Sequence, residues 1–551
     1  MIATEPRSPS APIEAPIGVM PAEVAPTTSR HWLGAGILLA VFGWLAWSIR
    51  MPAILLRNDD ALYLLLARSL RSFHYVDAHI VGNPIHSQYP PGYPAILAGA
   101  SAVFGDHLDV YIAVGLLAST LALALFFDVV RRLWSPNLAL LVLAALAFNV
   151  PLLEYSGEVI AEPVFLGFIA LTLWAMAVRP SSTGQALLAG TAAICAALVR
   201  SPGLAMIAAL LLVFLLERRY RTVGIFAAAA AATAGTWLLW TVLSPIQVRG
   251  RSYVADAIGR PGSMRSVVPM RLLRALRQTS HYVTVDIERA LSLPTTPSTL
   301  LDNVLWIAVV VGLGSLGLWI CWKRWRVAAV FLFAYAGMLT IWAWWSPRFL
   351  MPIIPLVILA IFVGGDHLGR RYHRTVGWVF AVAFSLLLVV QGFRGYAHDR
   401  HELRDCDRSR GGFSAGCMSP DMRSFVAAAQ FAGQQTPPDA VFYAVKEATW
   451  AWYSGRKTAY AAEIFRADSL QFLPGLKERG IDYVLLGRTT RFEVENFSKL
   501  LADHCHDLEL TGTFPPRTYI FHVGGGSGSP DACVAIARYR ADSTRVQPQR
   551  K

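Results

Sequence analysis

Charge is sparse in this sequence. Asp, Glu, Lys and Arg together account for 15% of its residues against 55% hydrophobic, well short of the charged share of an ordinary soluble domain. Cysteine is scarce as well, six in 551 residues, and none stands at zinc-type spacing, which argues against a structural zinc module. No convincing G-x-G-x-x-G or Walker stretch occurs, so a Rossmann-type or P-loop nucleotide site is not expected. The chain shows no internal repeat of the kind that builds paired-half transporters. Its start also lacks a signal peptide's order, a basic region leading straight into a short apolar run and a small-residue cleavage site.

What the sequence does contain is long apolar runs. With a mean hydropathy of +0.44, it reads as a polytopic α-helical membrane protein. Runs near 32–48, 109–128, 137–152, 159–178, 184–199, 203–216, 222–243, 303–321, 327–345, 350–364 and 375–393 make about eleven candidate spans. The net charge of +13 would suggest nucleic acid in a soluble protein. Here the basic residues sit largely in short clusters between apolar runs and read as topology signals, so no nucleic-acid partner is expected.

Arg131-Arg132, Arg179, Arg218-Arg219-Arg221, Lys323-Arg324-Arg326 and Arg370-Arg371-Arg374 alternate consistently along the chain. The positive-inside rule makes all of these connections cytoplasmic, so the others face out. Residues 1–31, rich in Pro, Ala and Ser, are expected to be a disordered cytoplasmic tail, and 32–394 the transmembrane domain with outer loops 49–108 and 244–302. Loop 244–302 is discordant, carrying Arg249, Arg251, Arg260, Arg265, Arg271, Arg274, Arg277 and Arg289; long loops obey the charge rule weakly, and these arginines suit headgroups or an anionic substrate. Residues 395–540 read as an extracytoplasmic soluble α/β domain and 541–551 as a second disordered tail.

In that domain "AVFYAV", "KTAYAAE", "DYVLLGR" and "RTYIFHV" are strand-like, with helical stretches around 420–434 and 468–479. Cys406, Cys417, Cys505 and Cys533 fall on the side where disulfides persist, so one or two bridges are expected, their pairing unreadable from spacing. Cys195 and Cys321 fall in spans and read as packing residues.

Chemistry is sought on the outer face. The stretch "NDDALYLLLARSL" places Asp59 and Asp60 in the first turn of a helix, with Asn58 as N-cap and the acids complementing the helix dipole. Their place just after the first span also puts two carboxylates at the outer interface. Glu154, Glu158 and Glu162 lie at the same level between the third and fourth spans, and Glu158 and Glu162, four apart, could share one helical face. Arg200 in "LVRSPGLAM" and Arg348 in "WWSPRFLMPIIPL" need an anion or water, and a phosphate suits their planar fork. "HSQYPPGYPAILAGASAVFG" reads as a rigid turn followed by an interfacial or re-entrant helix. Tyr89, Pro90 and Pro91, with Tyr63, are expected to wall a site there. His74, His79 and His86 lack convincing ligand spacing.

In that order the motifs resemble the GT-C superfamily of integral-membrane glycosyltransferases. The acidic pair with "LLLARSL", then "YPPGYP", "SGEVIAEPVFL", "VRSPGLAM" and "PRFLMPIIPL" carry the likeness, which extends over about residues 30–395. The nearest branch is the bacterial one that contains the aminoarabinose transferases of lipid A and the protein O-mannosyltransferases. The resemblance implies an inverting transfer of sugar from a polyprenyl-phosphate carrier to a lipid, glycan or protein acceptor. Such an enzyme would lie in the bacterial inner membrane, its soluble domain periplasmic. Asp59 matches the candidate base; Asp60 matches the second acid, where Glu is more usual, leaving the division of labour between them open. Glu162 matches the second-loop acid, with Glu158 as alternative, and Arg348 matches the arginine expected at carrier phosphate, where Arg200 could join it. No cofactor is required, and a divalent metal is left open.

"YSGRKTAYAAE" and "ERGIDYVLLGR" resemble soluble domains appended to many bacterial members, whose role here is open between acceptor docking, lid and support. The rival readings are a transporter or lipid flippase, which should carry its key charges deep in spans, and a glycan ligase or polymerase, distinguished by its donor.

Overall fold

The computed structural model describes residues 26–54, 58–178, 183–244, 275–292, 300–342, 345–407, 416–459, 472–524 and 530–545. Its first part is helical: α1 (Ser29–Ser48), α2 (Asp59–Arg71), α3 (Gly92–Phe104), α4 (Leu108–Leu133), α5 (Pro136–Ala147), α6 (Val150–Ser156), α7 (Glu162–Val178), α8 (Thr183–Val199), α9 (Leu204–Leu216), α10 (Tyr220–Ala230) and α11 (Thr236–Leu243). Longer helices Leu300–Arg324, Arg326–Ile341, Ile354–Tyr372 and Arg374–Glu402 follow. One continuous apolar core runs through this helical part, and two further clusters flank the carboxy-terminal sheet.

Local sequence explains the breaks. Helix α4 carries Asp109 in its first turn and Arg131 and Arg132 in its last, the polarity its dipole favours. Ser135 then accepts from the Leu138 backbone N–H at 3.2 Å and Pro136 opens α5, an N-cap with proline at the first helical position. Asn149 caps α6 in the same way at 3.1 Å, so α5 and α6 meet at a bend of 62°.

Among the described residues, five helical stretches are long and apolar enough to cross a membrane: Ser29–Ser48, Leu108–Leu133, Tyr220–Leu243, Pro347–Tyr372 and Arg374–Glu402. The bent pair α5 and α6 makes a sixth if counted as one span. Expected spans 159–178, 184–199, 203–216 and 327–345 fall on shorter apolar helices of 10–17 residues. The break expected between 184–199 and 203–216 is present at Arg200-Ser201-Pro202-Gly203.

The carboxy-terminal part contains a five-stranded sheet in the order β2-β1-β3-β5-β4, from β1 (Val441–Tyr443), β2 (Lys457–Thr458), β3 (Tyr483–Leu486), β4 (Leu508–Phe514) and β5 (Thr518–Val523). β1 is parallel to β2 and β3, and β5 is antiparallel to β3 and β4. Four strands lie in the four expected stretches. β4, "LELTGTF", was not expected; it lies at the sheet edge, with a register shift between Leu510 and Gly512. Helix Pro420–Gln435 matches expectation, and Phe472–Glu478 covers the described part of 468–479.

Three boundaries move. Helix α1 starts at Ser29, inside the segment expected to be disordered. Helix Arg374–Glu402 runs past residue 394 into the expected soluble domain, and Pro530–Arg545 passes 541 into the expected second tail. The re-entrant reading of 86–105 corresponds to a turn followed by the 13-residue α3. Two disulfides, Cys406–Cys417 and Cys505–Cys533, use all four cysteines of the carboxy-terminal part.

Candidate active site

Three breaks in the helical part converge. The first is the start of α2. Asn58 stands at the N-cap position with φ 66°, but its side chain makes no hydrogen bond to its own helix. This corrects the capping expectation: its Oδ1 accepts instead from the backbone N–H and the hydroxyl of Thr449, both at 3.3 Å. Asp59 and Asp60 open the helix, and Asp60 is 1% exposed, its Oδ1 accepting from the Ala61 backbone N–H at 2.8 Å.

The second break precedes α3. Pro90 and Pro91 fix the turn, and Gly92 then presses on the end of α8, where a Cβ would come 2.6 Å from the Leu198 carbonyl oxygen. Only glycine permits that approach. It brings the tyrosines of "YPPGYP" against the break that follows α8, where Arg200 precedes a short 3-10 turn, Ser201–Gly203. Gly203 is equally tight, since a Cβ there would lie 2.4 Å from the Ala197 nitrogen. The third break is the 3-10 turn Pro347–Ile353, carrying Arg348.

Charge meets charge where these breaks meet. Arg348 Nη2 donates to Asp59 Oδ2 in a short ion pair, and its Nε lies 3.1 Å from Glu162 Oε1. Arg200 Nη1 pairs with the same Glu162 oxygen. The Phe349 ring lies beneath both cations, 5.0 Å from the Arg200 guanidinium and 5.6 Å from that of Arg348. Tyr89 completes the shell around Asp59, its hydroxyl donating to Oδ1 at 2.8 Å. Burial pushes the Asp59 carboxyl up, but the charges of Arg348 and Arg200 and the hydrogen bonds from Arg348 and Tyr89 outweigh it and hold the group below its ordinary value.

Tyr89 is itself held from behind. The His86 Nε2 accepts from the Tyr89 backbone N–H at 2.8 Å, and the other ring nitrogen bonds Asp77 at 2.7 Å, both side chains buried. Accepting at Nε2 requires the proton at Nδ1, where Asp77 receives it. Tyr75 adds a hydrogen bond to the Tyr89 carbonyl at 2.7 Å. Tyr63 lies between Tyr89 and Tyr93, 4.9 Å from each ring centroid.

The structure therefore brings Asp59, Glu162, Arg200, Arg348, Tyr63 and Tyr89 together, with Pro90 and Pro91 at the turn behind Tyr89. Glu158 is placed otherwise than expected. Helix α7 begins at Glu162, so Glu158, buried in the non-helical link after α6, shares no helical face with it. Of the arginines in loop 244–302, Arg277 and Arg289 are exposed; Arg249, Arg251, Arg260, Arg265, Arg271 and Arg274 lie outside the described residues. His74, His79 and His86 form no ligand cluster among the described residues. The grouping there with metal-like distances is Cys505, His506 and Cys533, and its two cysteines are joined in a disulfide.

Sequence reasoning missed Tyr93, the Asp77–His86 pair, Phe349 and Thr449. Tyr93 is fully buried, within electrostatic reach of Glu162 and Asp60. Its hydroxyl and Glu162 Oε2 both lack a hydrogen-bond partner among the described residues. Its signal was the second tyrosine of "YPPGYP". Thr449 had none, being an ordinary residue of a short helix 391 positions from Asn58.

Asp59 and Glu162 are both met by guanidinium groups, which suits a phosphate-bearing ligand that competes for those cations. The set does not fit a divalent cation, which would have to sit against two arginines.

Residues 88–244 match the family model described as dolichyl-phosphate-mannose-protein mannosyltransferase. Among solved structures, the chain is similar to ArnT from Cupriavidus metallidurans in the apo state, with a TM-score of 0.57 at 13% identity over 92% of this chain and 100% of that one. It is similar to the same protein bound to undecaprenyl phosphate, with a TM-score of 0.54 at 13% identity over 91% and 100%. The oligosaccharyltransferase of Archaeoglobus fulgidus tethered to an acceptor peptide gives 0.54 at 11% identity over 92% of this chain and 77% of that one. No curated protein sequence matches the chain. These likenesses show a fold shared with ArnT and with the archaeal oligosaccharyltransferase.

Proposed function

We propose that this protein is an inverting membrane glycosyltransferase that moves a sugar from a polyprenyl-phosphate carrier to a lipid, glycan or protein acceptor on the outer face of the membrane. The observation that carries it is the ion pair of Arg348 with Asp59, backed by the shared contact of Arg348 and Arg200 with Glu162. A candidate base and candidate phosphate binders are in direct contact.

That arrangement gives the reaction an order. While Arg348 holds Asp59, the carboxylate is a poor base. A carrier phosphate arriving at the two arginines competes for Arg348, loosens its grip on Asp59 and raises the basicity of the carboxylate as the donor seats. The acceptor hydroxyl or amine then attacks the anomeric carbon as Asp59 takes its proton. The bond from that carbon to the phosphate oxygen breaks, and polyprenyl phosphate leaves with its electron pair. Arg348 and Arg200 stabilise the charge that grows on it. One displacement without a covalent enzyme intermediate inverts the anomeric carbon. Tyr93 and Glu162 Oε2 offer a donor and an acceptor that a substrate can satisfy.

The same reading places the chain in a bacterial inner membrane with about eleven spans, the amino terminus cytoplasmic and the soluble domain periplasmic. Two disulfides in that domain support an oxidising side. The test is a deletion strain whose lipids are analysed by mass spectrometry. An unused polyprenyl-phosphate sugar should accumulate, and reappear when the D59N variant replaces the wild-type copy; an unchanged lipid-linked sugar pool would overturn the proposal.

A further inference from the structure

The soluble domain meets the helical part beside the candidate base. Helix Glu447–Ser454 packs against α2, and its Thr449, fully buried, donates twice to the Asn58 side chain, one residue before Asp59. Two further contacts come from the same helix. Trp452 lies under the Arg68 guanidinium at 3.8 Å, and Tyr453 is hydrogen-bonded to the Ile54 backbone within electrostatic reach of Asp60.

A second connection runs through the sheet. The outer loop pairs with strand β2: Thr458 N–H donates to the His79 carbonyl at 2.8 Å and Val81 N–H to the Thr458 carbonyl at 2.9 Å. Lys457 adds a bond to Asn83 at 2.9 Å. This loop also carries the Asp77–His86 pair that holds Tyr89. The soluble domain thus grips both the residue before Asp59 and the loop whose tyrosine donates to it.

Asn58 explains why the grip is directional. Its φ of 66° lies in the left-handed region, which asparagine adopts more readily than most residues. With no bond to its own helix, its side chain anchors the first turn of α2 to Thr449. Rotation of that turn would swing the Asp59 carboxylate off Arg348 and Tyr89.

We propose that the soluble domain is a positioning element of the transferase site, acting through the Thr449–Asn58 contact to fix the orientation of Asp59. This rests on the proposed function and assigns the domain a part in that reaction. Asn58 and Thr449 are positioning residues, since they act through Asp59.

The test uses the full chain in lipid nanodiscs, a lipid-linked sugar extract from membranes of the deletion strain, and release of polyprenyl phosphate as readout. Asn58→Gly keeps the backbone conformation and removes the acceptor; Thr449→Val removes one of the two donors, and Thr449→Ser restores it. N58G should lower kcat about ten- to a hundredfold and T449V by less, with KM for the donor within about twofold. T449S should recover wild-type kcat, and the N58G/T449V double variant should fall no further than N58G. Unchanged kcat, multiplicative losses, or a T449S variant as impaired as T449V would overturn the inference.

Failure of the functional reading is seen separately, as wild-type protein that releases no polyprenyl phosphate from the extract. Hydrogen exchange then decides the positioning claim without catalysis. Amides of residues 59–62 should exchange faster in N58G and T449V than in wild type, and equal rates would overturn it.

Discussion

Arg348 and Asp59 are ion-paired across 289 residues of chain, the cation from a 3-10 turn before a long helix and the acid from the first turn of α2. Neither is placed by its own element alone. Arg348 also lies 3.1 Å from Glu162, and Asp59 also accepts from Tyr89, so each partner is held on two sides.

Asp59→Asn should abolish transfer while leaving membrane insertion intact. The amide cannot take a proton, and a positioned base contributes about 10²- to 10⁴-fold. Arg348, freed of the Asp59 charge but still beside Glu162, should bind undecaprenyl phosphate at least as tightly as before. Turnover within tenfold of wild type in a folded variant would remove Asp59 from the base role.

Much of this was legible in the sequence because the site is built from breaks. Arginines or acids at the ends of apolar runs stand out, and Asp59, Glu162, Arg200 and Arg348 were found that way. Partners chosen by tertiary packing leave no such mark. The Asn58 pattern fitted an N-cap, yet its side chain turned to Thr449, because a contact from the other domain replaced the local one. Glu158 and Glu162 looked like one helical face because spacing cannot show that α7 starts only at the second. Apolar length was legible along the chain, but where helices bend, as between α5 and α6, was not.

Arg348→Lys separates charge from geometry. An ammonium keeps the cation but cannot reach both Asp59 and Glu162 with a planar fork. Turnover should fall about 10²-fold, on the scale of removing one preorganised electrostatic contact. Arg348→Ala should do worse, also weakening undecaprenyl phosphate binding measured by thermal shift. Equal donor affinity in R348A and wild type would exclude phosphate contact by this arginine.

Glu162 is 1% exposed and meets both arginines. Glu162→Gln leaves two buried cations sharing the Asp59 charge, and breaking a buried pair by removing one partner costs about 3–5 kcal/mol. The variant should therefore melt earlier in detergent, and added undecaprenyl phosphate should restore part of the loss by supplying the missing negative charge. A melting temperature equal to wild type would show that Glu162 is not needed to balance the arginines.

Tyr89→Phe tests the base by pH. In the wild type the Asp59 carboxyl sits below its ordinary value because Arg348, Tyr89 and Arg200 together outweigh burial. Removing the phenol takes away one of the lowering influences, so the folded value rises. The acid limb of kcat/KM reports the base in the free enzyme; it should therefore move to higher pH in Y89F, with Arg348 still in place. Stability follows the same sign. A carboxylate depressed in the fold stabilises it above the unfolded value, about 3.9, and that contribution is lost as pH falls through the folded value. Y89F should lose less stability on acidification, because less was stored in Asp59. At neutral pH the variant should retain activity within about tenfold, equivalent to roughly 1.4 kcal/mol, since the carboxylate stays ionised and Arg348 still orients it. The pH profile of polyprenyl phosphate release by wild type and Y89F decides it. An acid limb unmoved, or shifted to lower pH, would mean that the group titrating there is not Asp59.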